Sequence, residues 1–286
     1  MGIEISGVSK RFGKTTALTD INLCFEENGI YGILGRNGAG KSTLLNIVAN
    51  RLVPCEGTVS VDKESATEND RAQEKIFLMS EVNTYPSSMK CSDILKWTKE
   101  FYPSADETKG KELAERFSLD MKKPIGNLST GYKTIIKFIA AMMSCAKYTL
   151  LDEPILGLDA NCRELAYRII LEEYARQPRC ILISTHIIEE VEEIIENVII
   201  INDGKILVNE SVENILSKGY SVTGEKNAVD GFIKDKKVIG EESLGNIKCA
   251  CVYGYDKICS VPDGLEISPM KLQKLFIELT GEKGEK

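Results

Sequence analysis

Ile30-Tyr31-Gly32-Ile33-Leu34 is a short apolar run that reads as a buried strand. A glycine-rich loop follows, and Ser42-Thr43-Leu44-Leu45-Asn46-Ile47-Val48 opens a helix. Strand, loop and helix in that order commit the stretch to a βα unit. Gly35, Gly40, Lys41 and Ser42 fit the P-loop spacing G-x-x-x-x-G-K-[ST]. Glycines let such a loop turn and aim successive N–H groups inward around an anion. The helix N-terminus adds positive dipole at the same point. Lys41 is spaced to reach the β- and γ-phosphates of a nucleotide, and the Ser42 hydroxyl to bind Mg²⁺.

Other apolar runs also end in polar chemistry. Tyr148-Thr149-Leu150-Leu151 runs into the carboxylates Asp152 and Glu153, then Pro154. An aspartate there suits the Mg²⁺ shell, and the adjacent glutamate can act as general base on a water. Cys180-Ile181-Leu182-Ile183 runs into Ser184-Thr185-His186, the only histidine of the chain. Placed there, it could donate to a γ-phosphate oxygen in the transition state. Strands alternating with helices predict a mostly parallel α/β sheet, with ligands at the carboxyl ends of its strands.

Six motifs in order resemble the ATP-binding subunit of an ABC transporter. Residues 35–43 match its Walker A motif, which implies nucleotide contacts from Gly35, Asn37, Gly38, Ala39, Gly40, Lys41, Ser42 and Thr43. Leu128-Ser129-Thr130-Gly131-Tyr132 is similar to the LSGGQ signature, and residues 148–154 to Walker B with its glutamate. Gly157-Leu158-Asp159 matches the D-loop, and Ser184-Thr185-His186 the H-loop. Phe12 falls where the family has its adenine-stacking aromatic. The resemblance covers roughly residues 1–210. It implies a P-loop NTPase core with an antiparallel β edge and a helical subdomain at about 82–135. It also implies that Ser129, Gly131 and Asp159 of one copy help enclose the ATP held by a second, in a head-to-tail homodimer or heterodimer. ATP and Mg²⁺ are the implied ligands, and a separate transmembrane subunit the implied partner. Residues 85–90 begin the part that would receive a cytoplasmic coupling helix from it.

Two motifs depart from the pattern. The signature carries Thr130 for glycine and Tyr132 for glutamine, while its second glycine, Gly131, remains. Glu81 stands where the family usually has the Q-loop glutamine. A carboxylate can still ligate Mg²⁺, at the cost of more negative charge beside Glu153.

Composition narrows the function classes. A formal charge of −7, from 36 basic and 43 acidic side chains, argues against nonspecific nucleic-acid binding. No apolar run is long enough to span a membrane, and the first residues lack a secretory core. The nine cysteines form no C-x-x-C pair and read as reduced thiols. The expected site of action is cytoplasmic, peripheral on the inner face of the cell membrane. A soluble ABC-type ATPase of an assembly machine, such as one for iron–sulfur assembly, is the alternative. A small-molecule kinase would leave the 128–132 element unexplained.

From about Gly219 the pattern changes, and a small α+β appendage is expected over 219–286, after an ATP-binding domain over 1–218. Residues 221–235 look helix-like, short strands are expected at 237–239, 247–253 and 258–261, and Ser268-Pro269 reads as the start of a last helix.

Overall fold

Runs of apolar residues bounded by glycine and polar turns become the strands of the molecule. The computed structural model describes residues 1–254 and 262–281. The first elements are β1 (Gly2–Phe12), β2 (Thr15–Glu26), β3 (Gly29–Leu34), α1 (Lys41–Val48), β4 (Glu56–Val61) and β5 (Glu64–Ser65). Next come α2 (Asp70–Gln73), β6 (Ile76–Met79), α3 (Cys91–Phe101), α4 (Glu107–Arg116) and α5 (Thr130–Ser144). Then follow β7 (Tyr148–Asp152), α6 (Ala160–Arg176), β8 (Cys180–Thr185), α7 (Ile188–Val191), β9 (Asn197–Asn202) and β10 (Lys205–Ser211). The remainder is α8 (Val212–Lys218), β11 (Gly219–Glu225), α9 (Lys226–Ile233), β12 (Val238–Leu244), β13 (Ile247–Tyr253), β14 (Leu265–Pro269) and α10 (Leu272–Thr280).

The chain divides into two compact units, Met1–Ile187 with Asn197–Asn209, and Ile188–Glu196 with Glu210–Lys286. In the first, a six-stranded sheet runs β10-β9-β3-β8-β7-β6, and a four-stranded sheet runs β2-β1-β4-β5. β9, β3, β8, β7 and β6 pair in parallel. Every residue of β3, β6, β7 and β8 is buried, as for parallel strands covered on both faces. β1 pairs antiparallel with β2 and β4. One apolar cluster joins Leu44, Leu45, Ile47 and Val48 of α1 to side chains of both sheets. α1 is thus the shared core element, and its N-terminus is held at the end of β3. α3 and α4 pack on α5. Pro103 lies between α3 and α4, where proline breaks a helical pattern.

A partly buried ionic network closes the other end of this unit. The Asp62 carboxylate accepts from Tyr148 Oη at 2.7 Å, from Lys147 Nζ at 3.0 and 3.1 Å, and pairs with Lys75 Nζ at 3.0 Å. Burial alone would raise the Asp62 pKa, but these donors outweigh it and bring it down to about 2.

In the second unit an antiparallel sheet runs β12-β13-β11-β14. Tyr220, Val222, Ala250 and Val252 form its apolar cluster with Val229 and Ile233 of α9. Several expectations are corrected here. Residues 219–225 form a strand, because buried Tyr220 and Val222 alternate with the less buried Ser221 and Thr223, and helix begins only at Lys226. Pro269 pairs with Tyr220 at the end of the edge strand β14, a place that tolerates proline, and α10 starts after Lys271. The acidic run at 189–196 reads as helix from its composition, but helix is confined to Ile188–Val191. The expected strand at 258–261 lies outside the described residues. None of the helices among the described residues is long and apolar enough to cross a membrane.

Asp62→Asn is expected to destabilise the protein at pH 7 by about 1–3 kcal/mol, read by urea unfolding. A depressed carboxylate pKa contributes stability above the ordinary aspartate value, and that stability is lost as pH falls through the folded-state value. The gap between variant and wild type should therefore close as pH is taken from about 4 to about 2.

Candidate functional site

The parallel register brings the sequence motifs to one edge. Leu34 pairs with Thr185 and with Ile200, and Asp152 pairs with Ser184. The P-loop, the two carboxylates and the Ser184-Thr185-His186 stretch therefore leave the sheet side by side. Gly40 occupies the N-cap of α1 with no side-chain cap, so the first N–H groups of the helix keep their donor capacity. Its φ is 110°, and a Cβ there would lie 2.7 Å from Ala17 O, so only glycine fits. The Asp203-Gly204 turn braces the loop: Gly204 N donates to Ala39 O at 3.1 Å, and Thr19 N donates to Gly204 O at 2.8 Å.

A cleft of about 330 Å³ is lined by Ala17, Asn37, Gly38, Ala39, Gly40, Lys41, Ser42, Thr43, Glu81 and Glu153. Lys41, 6% exposed, donates to Gly35 O at 2.8 Å and Arg36 O at 3.3 Å, and lies 3.7 Å from Glu153 Oε1. Burial pushes its pKa below the usual lysine value, against the pull of Glu153 and Asp152. Ser42 Oγ donates to Asp152 Oδ1 at 3.0 Å, and Ser184 Oγ donates to the same oxygen at 2.5 Å. Glu153 is held in a left-handed conformation with φ 48° by its own N–H, which donates to Ser184 O at 3.1 Å. Backbone strain of this kind is typical of functional positions. Its carboxylate lies 2.9 Å from His186 Nδ1 and accepts from Thr185 Oγ1 at 3.4 Å. A carboxylate can only accept, so the imidazole carries its proton on Nδ1 in this contact.

The other expected residues are placed elsewhere. Ser129, Gly131 and Asp159 come together in a separate concavity of about 120 Å³, with Tyr132, Gly157 and Leu158. Ser129 and Asp159 cap α5 and α6, accepting from Tyr132 N at 3.3 Å and Cys162 N at 2.9 Å. The Cys162 N–H at the start of α6 holds the Asp159 pKa below the usual aspartate value. A Cβ on Gly131 would lie 2.7 Å from Gly157 O, so glycine permits the close approach of the two elements. Phe12 was expected to face the base of a nucleotide. It stands exposed at the end of β1, 5.4 Å from Lys10 Nζ, and is not among the cleft's lining residues. His186 does not line the cleft either and reaches it through Glu153.

Sequence reasoning missed the second role of Ser184, which holds both Asp152 and the Glu153 backbone. It also missed Lys137, whose ammonium donates to Ser80 O at 2.9 Å and Glu81 O at 2.6 Å. The one available signal was a lysine on the apolar face of α5.

Comparison with known proteins agrees with this geometry. The ABC transporter family model matches residues 18–156. The chain is 32% identical over 219 residues to the uncharacterized ABC transporter ATP-binding protein YhaQ of Bacillus subtilis (strain 168), covering 74% of this chain and 72% of that protein. The chain belongs to the ABC transporter ATP-binding proteins. Solved members of the family share the fold. An ATP-binding subunit of an ABC transporter superposes with a TM-score of 0.69 at 21% identity, over 75% of this chain and 92% of that one. A dimeric ATP-binding cassette in a post-hydrolysis state, bound to ADP and Pi, gives 0.64 at 22% identity, over 73% and 98%.

Ser184→Ala removes the hydroxyl's two contacts at the end of β7, to Asp152 Oδ1 and to Glu153 N, leaving the carboxylate with one donor fewer in a buried place. It should cost about 1–2 kcal/mol in urea unfolding, and an unchanged midpoint would show that the Asp152 contact contributes nothing to stability.

Proposed function

We propose that the protein binds and hydrolyses ATP to drive transport through a separate membrane subunit, by ATP-dependent head-to-tail pairing of two ATP-binding subunits. The observation that carries this reading is the Ser42–Asp152 hydrogen bond of 3.0 Å beside an uncapped helix N-terminus and the buried Lys41 ammonium. Those groups together present what a nucleotide triphosphate needs: N–H donors, a cation and a pair of hard oxygens.

Lys41, Asn37, Gly38, Ala39, Gly40 and Thr43 would hold the phosphates, with Gly35 allowing the turn. The Ser42 hydroxyl and the Asp152 carboxylate fit a hard cation that prefers oxygen, and Glu81, on the same cleft, is a third candidate oxygen donor. Bound Mg²⁺ would neutralise charge on the phosphate oxygens. Glu153 would take a proton from the attacking water. His186 would orient that carboxylate through Nδ1 and contact the γ-phosphate. Phe12 would stack on the base only by moving to the cleft.

Ser129, Gly131 and Asp159 lie outside the P-loop cleft, which supports their service to a second copy's nucleotide. Closure follows if ATP binds the pair better than the single subunit. The proposed membrane partner would seat a coupling segment in a groove of about 720 Å³ lined by Arg51, Val82, Tyr85, Trp97 and Phe101, among others. Val82 is 70% exposed and Phe101 66%, a pair of apolar surfaces left uncovered by the described residues.

Glu153→Gln should lower turnover at least about 10²-fold and accumulate a dimer in MgATP, seen by light scattering. Lys41→Ala should prevent both nucleotide binding and dimerisation. Co-purification from membranes with a polytopic subunit would support transport, and a soluble complex would support the assembly-machine alternative.

A further inference from the structure

Three carboxylates surround the P-loop end of the sheet. Asp152 and Glu153 are buried, and exposed Glu81 lines the same cleft as Glu153. Against them stand two buried ammonium groups. Lys41 belongs to the P-loop. Lys137 belongs to α5, the helix that Ser129 caps, roughly 12 Å along its axis from that serine. Lys137 is 7% exposed and makes no ion pair within 4.0 Å among the described residues. Its ammonium donates to the carbonyls of Ser80 and Glu81, the two residues that follow β6.

A buried ammonium costs free energy unless something compensates it. Two neutral carbonyls compensate only in part, and burial lowers the Lys137 pKa while Glu81 and Asp152 act to raise it. The compensating charge is therefore that of nearby carboxylates, acting over more than hydrogen-bond distance. Lys137 also lines the large groove, with Val82, Tyr85 and Trp97. Residues 80–90 contain no helix and no strand, so little secondary structure fixes the path that carries Glu81 to the cleft.

We infer that Lys137 is a positioning residue: it fastens the Glu81 backbone to α5 and offsets the Glu81 charge, so that a carboxylate can face polyphosphate from the cleft wall. A chain with a neutral side chain at position 81 would need the fastening but not the charge. The part concerning phosphate rests on the proposed function, whereas the fastening does not.

Two measurements separate these parts. The first is hydrogen–deuterium exchange over residues 76–90 in nucleotide-free protein. Lys137→Met should speed exchange there at least about tenfold, which corresponds to the loss of roughly one buried charge-assisted hydrogen bond, while Lys137→Arg keeps most of the protection. Unchanged exchange in the methionine variant overturns the fastening. The second is binding of a fluorescent ATP analogue without Mg²⁺. Lys137→Met should weaken it several-fold, and adding Glu81→Gln should restore it. A double variant no better than Lys137→Met overturns the charge offset. Wild-type protein that binds no nucleotide sinks the ATPase reading instead, and the exchange result still decides the fastening.

Discussion

The register of β3, β8 and β7 is the constraint on which the site depends. Side chains on a strand alternate, so a slip of one residue would turn every functional group to the opposite face. All residues of these strands are buried, so both faces are packed against neighbours and a slip would disturb the packing on each. With Leu34 opposite Thr185 and Asp152 opposite Ser184, a hydroxyl from β8 meets a carboxylate from β7. The same carboxylate meets a hydroxyl from α1, which starts where β3 ends. Asp152 is thus the knot tying three elements, and its ligand-facing geometry is a by-product of sheet packing.

Charge is arranged on the same principle. Lys41 satisfies its ammonium on loop carbonyls and only loosely on Glu153, at 3.7 Å. A polyphosphate entering the cleft would replace a distant carboxylate with close phosphate oxygens and leave the carbonyl contacts in place. Glu153, released from that weak pair, keeps its short contact to His186. Nucleotide entry then asks for no rearrangement of the fixed donors, which is the condition under which preorganised electrostatics acts most strongly.

Buried parallel strands write themselves into sequence as unbroken apolar runs, so the core sheet, the P-loop helix and the carboxylate pair were legible. The position of Gly204 under the P-loop was not, because a turn's sequence says nothing of what it touches. Ser184 and Lys137 act through contacts to residues far along the chain, which no local pattern records. The second unit was hardest to read. Its strands are only partly buried, and polar residues between Tyr220 and Val229 hide the change from strand to helix.

The caps of α5 and α6 show how one local device can serve two different chemical ends. Ser129 spends an acceptor lone pair on Tyr132 N, which leaves its hydroxyl proton free to be given to an outside acceptor such as a phosphate oxygen. Asp159 also accepts from its own helix, but an ionised carboxylate has no proton to give. Beside a polyphosphate it would repel rather than bind. If the concavity that holds both residues faces a second copy's nucleotide, Ser129 can touch the phosphates directly. Asp159 must then act on what surrounds them: an N–H group, a water or the cation-rich loop of the facing subunit. The resemblance placed both residues at the nucleotide, and the cap geometry assigns them opposite polarity there.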